Sequence, residues 1–133
     1  MDNKYTGIQE IKKNYIKQLQ TGSTECPPSI QRAVHCIHNH LFDEWLSVEG
    51  VKKKCVLRGN NFSVRFRYYV GMSPKKYIIK HRLKVACQLL KVLPDDLPLM
   101  YIALSTGFSS HSAFTQTFKR RKGITPSQYR RKE

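Results

Sequence analysis

FKRRKGITPSQY, residues Phe118–Tyr129, repeats the punctuation of FRYYVGMSPKKY, residues Phe66–Tyr77, at an offset of 52 positions. In that register Phe62 pairs with Phe114, Phe66 with Phe118, Gly71 with Gly123, Ser73 with Thr125, Pro74 with Pro126 and Tyr77 with Tyr129. Glycine can take the positive φ that ends a helix, and proline suits the first turn of the next one. Gly-x-Ser/Thr-Pro-x-x-Tyr therefore reads as a helix stop followed by a restart. Phenylalanines four apart before each stop share one helix face. Glycine and proline alone are common punctuation, but positions of mixed chemistry kept in one register indicate a duplicated structural unit.

At 133 residues the chain suits one domain, or two very small ones that share a helix. Apolar residues make up 40%, enough for a modest core. Lys and Arg outnumber Asp and Glu by 24 to 9, a net charge of +15, and such a field favours a polyanionic partner, nucleic acid above all. Cys26, Cys36, Cys55 and Cys87 have no zinc-knuckle spacing. Cys87 reads as core packing, and Cys26 and Cys36 as free thiols. No apolar run reaches the ~18 residues of a membrane span. MDNKYTGIQEI lacks the apolar stretch of a signal peptide. A reducing cytosol is the expected compartment, with no membrane partner. Whether the chain is whole or part of a longer one, the sequence leaves open.

Hydrophobic periodicity gives helices and no convincing strand. Ile8, Ile11, Tyr15 and Leu19 form a stripe within an N-terminal arm or linker, residues 1–28. Ile30, Val34, Ile37 and Leu41 mark a helix over Ser29–Phe42, and a short one begins near Ser47. Phe62, Phe66 and Tyr69 mark a helix over Asn60–Val70. Residues 29–74 thus form a first helix-turn-helix subdomain. A long helix, Lys75–Leu93, bridges residues 75–93. Residues 94–133 form the second subdomain, with helices over Met100–Thr106 and Ser112–Lys122, a turn at Gly107 and an N-cap at Ser110. The fold expected is all-α.

A helix-turn-helix lays its second helix in the major groove. With Phe108, Phe114 and Phe118 inward, His111, Ser112, Thr115 and Gln116 are left outside, and such side chains hydrogen-bond to base edges. Lys119, Arg120, Arg121 and Lys122 are placed for phosphates, giving affinity rather than sequence choice. The first unit would expose Asn60, Asn61, Ser63, Val64 and Arg67. Asn60 and Asn61 can reach bases or cap the helix, and Val64 can touch a thymine methyl. Arg58, Arg65 and Arg67 are candidates for phosphate.

IALSTGFSSHSAFTQTFKRRKGITPSQYR, residues Ile102–Arg130, closely resembles the second helix-turn-helix and signature of the AraC/XylS family of bacterial transcription regulators. The resemblance extends over about residues 29–131. It implies a seven-helix domain of two helix-turn-helix subdomains bridged by a rigid helix, both recognition helices entering double-stranded DNA on one face. It places base reading on His111, Ser112, Thr115 and Gln116, and in the first unit on Asn60, Ser63 and Val64. It also implies transcription activation, contact with RNA polymerase, and often a separate effector or dimerisation domain; this chain has no room for a sugar-binding barrel. The first unit departs from the pattern. Val56 stands where a turn glycine is usual, Arg58 where a capping serine is, Val64 where an arginine is frequent, and Lys52 where a small or polar residue is.

Two other classes compete. HCIHNH, residues His35–His40, suggests a metal site, but His40 lies off the face of His35 and His38 on a helix. An enzyme would draw on His35, His38, His40 or His111 with Asp43, Glu44 or Asp95. No such cluster is convincing, so neither catalysis nor a cofactor is expected. The irregular first unit motivates an adapter with a degenerate DNA-binding fold that binds a protein partner.

Overall fold

The computed structural model describes residues 2–20, 25–57 and 61–132. Among them lie eight helices and no strand: α1 Asp2–Gln20, α2 Pro28–Asn39, α3 Val48–Lys54, α4 Phe62–Val70, α5 Pro74–Val92, α6 Leu99–Ser105, α7 His111–Lys122 and α8 Pro126–Arg131. Helices α2–α8 are the seven expected of two helix-turn-helix units joined by a long helix. α1 is additional.

The repeated motif is one local structure built twice. Gly71 and Gly123 end α4 and α7 in the left-handed region, at φ 100° and 85°, where a Cβ would be strained. Ser73 and Thr125 then cap α5 and α8, their hydroxyls accepting from the N–H of Lys76 (3.3 Å) and Gln128 (3.1 Å). Gln128 also accepts from the Thr125 N–H at 2.9 Å, which completes a capping box. Pro74 and Pro126 fill the first helical position and are both buried. The rings repeat as well. Phe62, Phe66 and Tyr77 stand edge to face with centroids 5.7 Å apart at each step. Phe114, Phe118 and Tyr129 do the same at 5.7 and 5.6 Å. Each tyrosine thus closes the aromatic stack of the helix before its own glycine.

The two turns differ in length and in strain. Phe108 N–H donates to Ala103 O at 3.1 Å across Gly107, and Leu57 N–H donates to Lys52 O at 2.9 Å across Val56. On this hydrogen-bond register Val56 matches Gly107 and Lys52 matches Ala103. From the turn to the matching phenylalanine, Phe62 or Phe114, the first unit is therefore one residue shorter. Ala103 is fully buried where helices meet, whereas Lys52 is half-buried and reaches Glu49 at 3.8 Å. Val56 holds φ 53°, a strained position for a β-branched residue, with 67% of its surface exposed. Val56→Gly should therefore stabilise the chain, by about 0.5–1 kcal/mol after the entropy of the added glycine is discounted. Urea unfolding of the two proteins checks this, and an equal or lower midpoint for the variant would show that the turn carries no strain.

α1 packs against α2 and α5. Ile8 and Tyr15 are buried in the common core, and the Lys12 ammonium lies 4.8 Å from the centre of the Phe42 ring. Tyr15 Oη and His81 Nδ1 share a hydrogen bond of 2.6 Å. Docking of α1 thus rests on an apolar stripe reinforced by polar contacts such as Tyr15–His81.

α5 joins the units through Arg82, a charged side chain only 7% exposed. Its Nε donates to Leu41 O at 2.7 Å and a terminal nitrogen donates to Asp43 O at 2.8 Å, both in the segment after α2. The guanidinium also lies 5.9 Å from the centre of the Phe108 ring and against Gly107. A Cβ at Gly107 would fall 2.7 Å from that guanidinium, so this turn needs glycine for space as well as for its φ of 98°. One side chain of the bridge therefore touches the turn of the second unit while it ties down the first.

Candidate nucleic-acid interface

α7 owes its orientation to its own sequence. Ser110 Oγ accepts from the Ala113 N–H at 3.0 Å and fixes the start. Phe114 and Phe118 are completely buried, with Phe108 packed on Phe114 at 5.3 Å. The opposite face is thereby set. His111, Ser112 and Gln116 are exposed, and Gln116 Nε2 donates to Ser112 Oγ at 3.3 Å, bringing two sequence-nominated residues together. A duplex base edge could replace that weak, solvent-facing bond at little cost.

Thr115 is placed differently. It is half-buried, and its Oγ1 is shielded with no hydrogen-bond partner among the described residues. The i+4 spacing that groups it with His111 says nothing about how deeply the helix is seated.

Lys119, Arg120, Arg121 and Lys122 are all exposed in the last turn of α7, where positive charge also suits the helix dipole. No acidic side chain lies on α7.

α4 presents a mixed face. Ser63, Arg65 and Arg67 are exposed, as are Val64 (70%) and Tyr68 (80%). Arg65 faces a hollow that it shares with Ser29, Arg32, Val56, Leu57, Asn61 and Phe62. Arg32, from α2, was not among the sequence candidates. Its polar spacing on α2 resembles that of any solvated residue, and only packing brings it beside Arg65. Asn61 precedes α4 without making a side-chain cap. Arg58 and Asn60 lie outside the described residues.

The histidines of the 35–40 segment go to separate partners. His35 bonds Asn39 at 2.9 Å, His38 bonds the Tyr77 hydroxyl at 2.7 Å, and His40 bonds Asp43 at 2.8 Å. Burial lowers the His38 pKa to about 4, helped by neighbouring His35. The ring is thus a neutral structural group.

Comparison with known proteins agrees with this geometry. A helix-turn-helix domain model matches residues 57–132. The HTH-type transcriptional regulator AlkR of Acinetobacter baylyi is 35% identical over 103 residues, which are 77% of this chain and 33% of AlkR. The chain spans about a third of the length of the curated relatives it matches. Among solved structures, the C-terminal domain of AraT, a response regulator from Geobacillus stearothermophilus, superposes with a TM-score of 0.74 at 28% identity, covering 81% of this chain and 88% of that one. The DNA-binding domain of AdpA, a global transcriptional factor solved in complex with a target DNA, gives 0.68 at 27% identity, over 78% and 91%. Two capped, glycine-terminated helix-turn-helix units around one bridging helix, together with these similarities, show that the chain belongs to the AraC-type helix-turn-helix family of transcription regulators.

Proposed function

We propose that the chain is a sequence-specific, double-stranded DNA-binding transcription regulator that acts as an activator, with α7 and α4 as its two recognition helices. The observation that carries this reading is α7. Its exposed hydrogen-bonding face, His111, Ser112 and Gln116, runs into four exposed cations at the end of the helix. Cations neutralise phosphates and set the register, while the polar face reads base edges. In the second unit Thr115 completes the reading set if groove contact draws its hydroxyl outward. In the first, Ser63 and Val64, with Asn60, would meet bases while Arg58, Arg65 and Arg67 hold phosphate. Binding needs no cofactor and no catalytic step. The setting is the bacterial cytoplasm, on the nucleoid. RNA polymerase and an effector or dimerisation domain are further partners, in line with relatives more than twice as long.

Selection of bound duplexes from a random library at physiological salt tests this. Two enriched blocks about 10 base pairs apart are expected if both helices read. No enrichment despite salt-sensitive binding would overturn sequence-specific regulation. Gln116→Ala should cost about 1–3 kcal/mol on the selected site and little on a scrambled one. Arg120→Ala should weaken both alike and lower the salt slope by about 1. Equal losses on both duplexes for Gln116→Ala would remove that residue from the reading set.

A further inference from the structure

We propose that Cys36 and Cys55 form an oxidisable dithiol, a modification site at which a hydroperoxide joins α2 to the turn of the first helix-turn-helix through a disulfide. Cys55 caps the end of α3, one residue before Val56 and its left-handed backbone. Its thiol donates to the Arg32 carbonyl oxygen at 3.5 Å, and Arg32 stands one turn before Cys36 on α2. Within a helix that carbonyl is also the acceptor of the Cys36 N–H, so the Cys55 sulfur lies over the turn that carries Cys36. Both cysteines line one hollow, together with His35, Asn39, His40 and Lys54. Cys87, by contrast, lines a separate hollow with Tyr129.

Cys55 is the more accessible of the pair and meets the oxidant first. Its sulfur attacks one peroxide oxygen, the O–O bond breaks, and the other oxygen leaves as water (an alcohol from an organic hydroperoxide), giving a sulfenic acid. The Cys36 sulfur then attacks the sulfenyl sulfur. The S–O bond breaks, the S–S bond forms, and the hydroxyl departs with the Cys36 proton as water. Two electrons pass from the dithiol to the peroxide. Burial first, then the adjoining Cys55, pushes the Cys36 thiol up to about 11, which keeps it protonated at rest and leaves it the resolving role.

A disulfide holds its sulfurs about 2.05 Å apart, closer than any hydrogen-bonded pair. Closing that gap draws the end of α3 toward α2 and moves the Val56 turn, from which the chain runs to α4. The same turn borders the hollow of Arg32 and Arg65. Oxidation is therefore expected to weaken the grip of the first unit on DNA, reversibly.

The test is stoichiometric hydrogen peroxide on the intact chain, followed by mass measurement and a tryptic map without reductant. Expected are a loss of about 2 Da, a peptide linking Cys36 to Cys55, and restoration by a thiol reductant. A gain of oxygen masses without that link, or a link through Cys26 or Cys87, would overturn the site. The wild-type map decides this whether or not any variant folds. For function, peroxide should lower wild-type affinity for duplex DNA and leave that of Cys55→Ser unchanged. Equal affinity before and after complete cross-linking would refute the effect on binding, and equal loss in Cys55→Ser would place the sensitivity elsewhere.

Discussion

Lowering the pH from 7 to 4 should remove about 4–5 kcal/mol of folding stability through two histidines alone. His38 and His81 are each only 7% exposed, and each is hydrogen-bonded to a phenol oxygen, of Tyr77 and Tyr15 respectively. Burial lowers both pKa values to about 4, with His35 acting on His38, and Lys80, Lys84 and His38 acting on His81. In the unfolded chain both titrate near 6.5. Between pH 6.5 and 4 the unfolded state therefore binds more protons than the folded one. Stability is fully present above pH 6.5, falls as the pH drops through that window, and levels off below about 4. Each ring accounts for about 2–3 kcal/mol at 1.36 kcal/mol per pKa unit, reduced because protonating one raises the cost of protonating the other. Urea unfolding at pH 7, 5.5 and 4 reads the loss. A His38→Gln/His81→Gln double variant should lose much of this pH dependence, and a wild-type profile flat from 7 to 4 would mean that the rings are charged in the folded protein. Because Tyr15 belongs to α1, acid should release that helix first, as increased amide exchange over Ile8–Leu19.

Arg82→Ala should cost about 3–5 kcal/mol. The guanidinium makes two charge-assisted bonds to main-chain carbonyls, each worth about 1.5–3 kcal/mol. Its removal leaves Leu41 O and Asp43 O without those donors and opens space beside Gly107 and Phe108. Against a total stability of about 5–15 kcal/mol, that loss leaves a marginal fold. Arg82→Lys should rescue little, because a single ammonium on a flexible stem cannot reproduce the planar fork that meets both carbonyls. Chemical denaturation compares the three proteins. A cost below about 1 kcal/mol for Arg82→Ala would show that water replaces the guanidinium without penalty. Burial lowers the Arg82 pKa to about 10 against the pull of Asp43, which still leaves it charged at neutral pH.

Helix position and the repeat were legible because they depend on neighbours in the chain. Gly71, Gly123, Ser73, Thr125 and the two prolines set backbone angles and caps within a few residues of themselves. Phe114 and Phe118, four apart, fix which side of α7 faces outward, so the exposure of His111, Ser112 and Gln116 followed from spacing alone. Charge and the terminal motif then carried the family resemblance. What spacing could not convey is depth. Thr115 shares the α7 face yet has a shielded hydroxyl, because the tilt of a helix on its core is set by the whole packing surface.

Contacts across tens of residues were decided only by the tertiary structure. Arg82 reads in sequence as one more cation on a basic helix; it is buried because the segment at Leu41–Asp43 offers carbonyls there and the Gly107 turn leaves room. Tyr15 reads as part of a stripe in an arm of undecided role, and finds its partner 66 residues away in His81. Cys36 and Cys55 have no informative spacing, and come to line one hollow because α2 and α3 pack together. The sequence by itself determined the helices, their caps and the outward face of α7, through interactions within one or two turns. The fold alone chose the partners of its buried polar groups, since desolvation makes each such group take whichever donor or acceptor packing brings within reach.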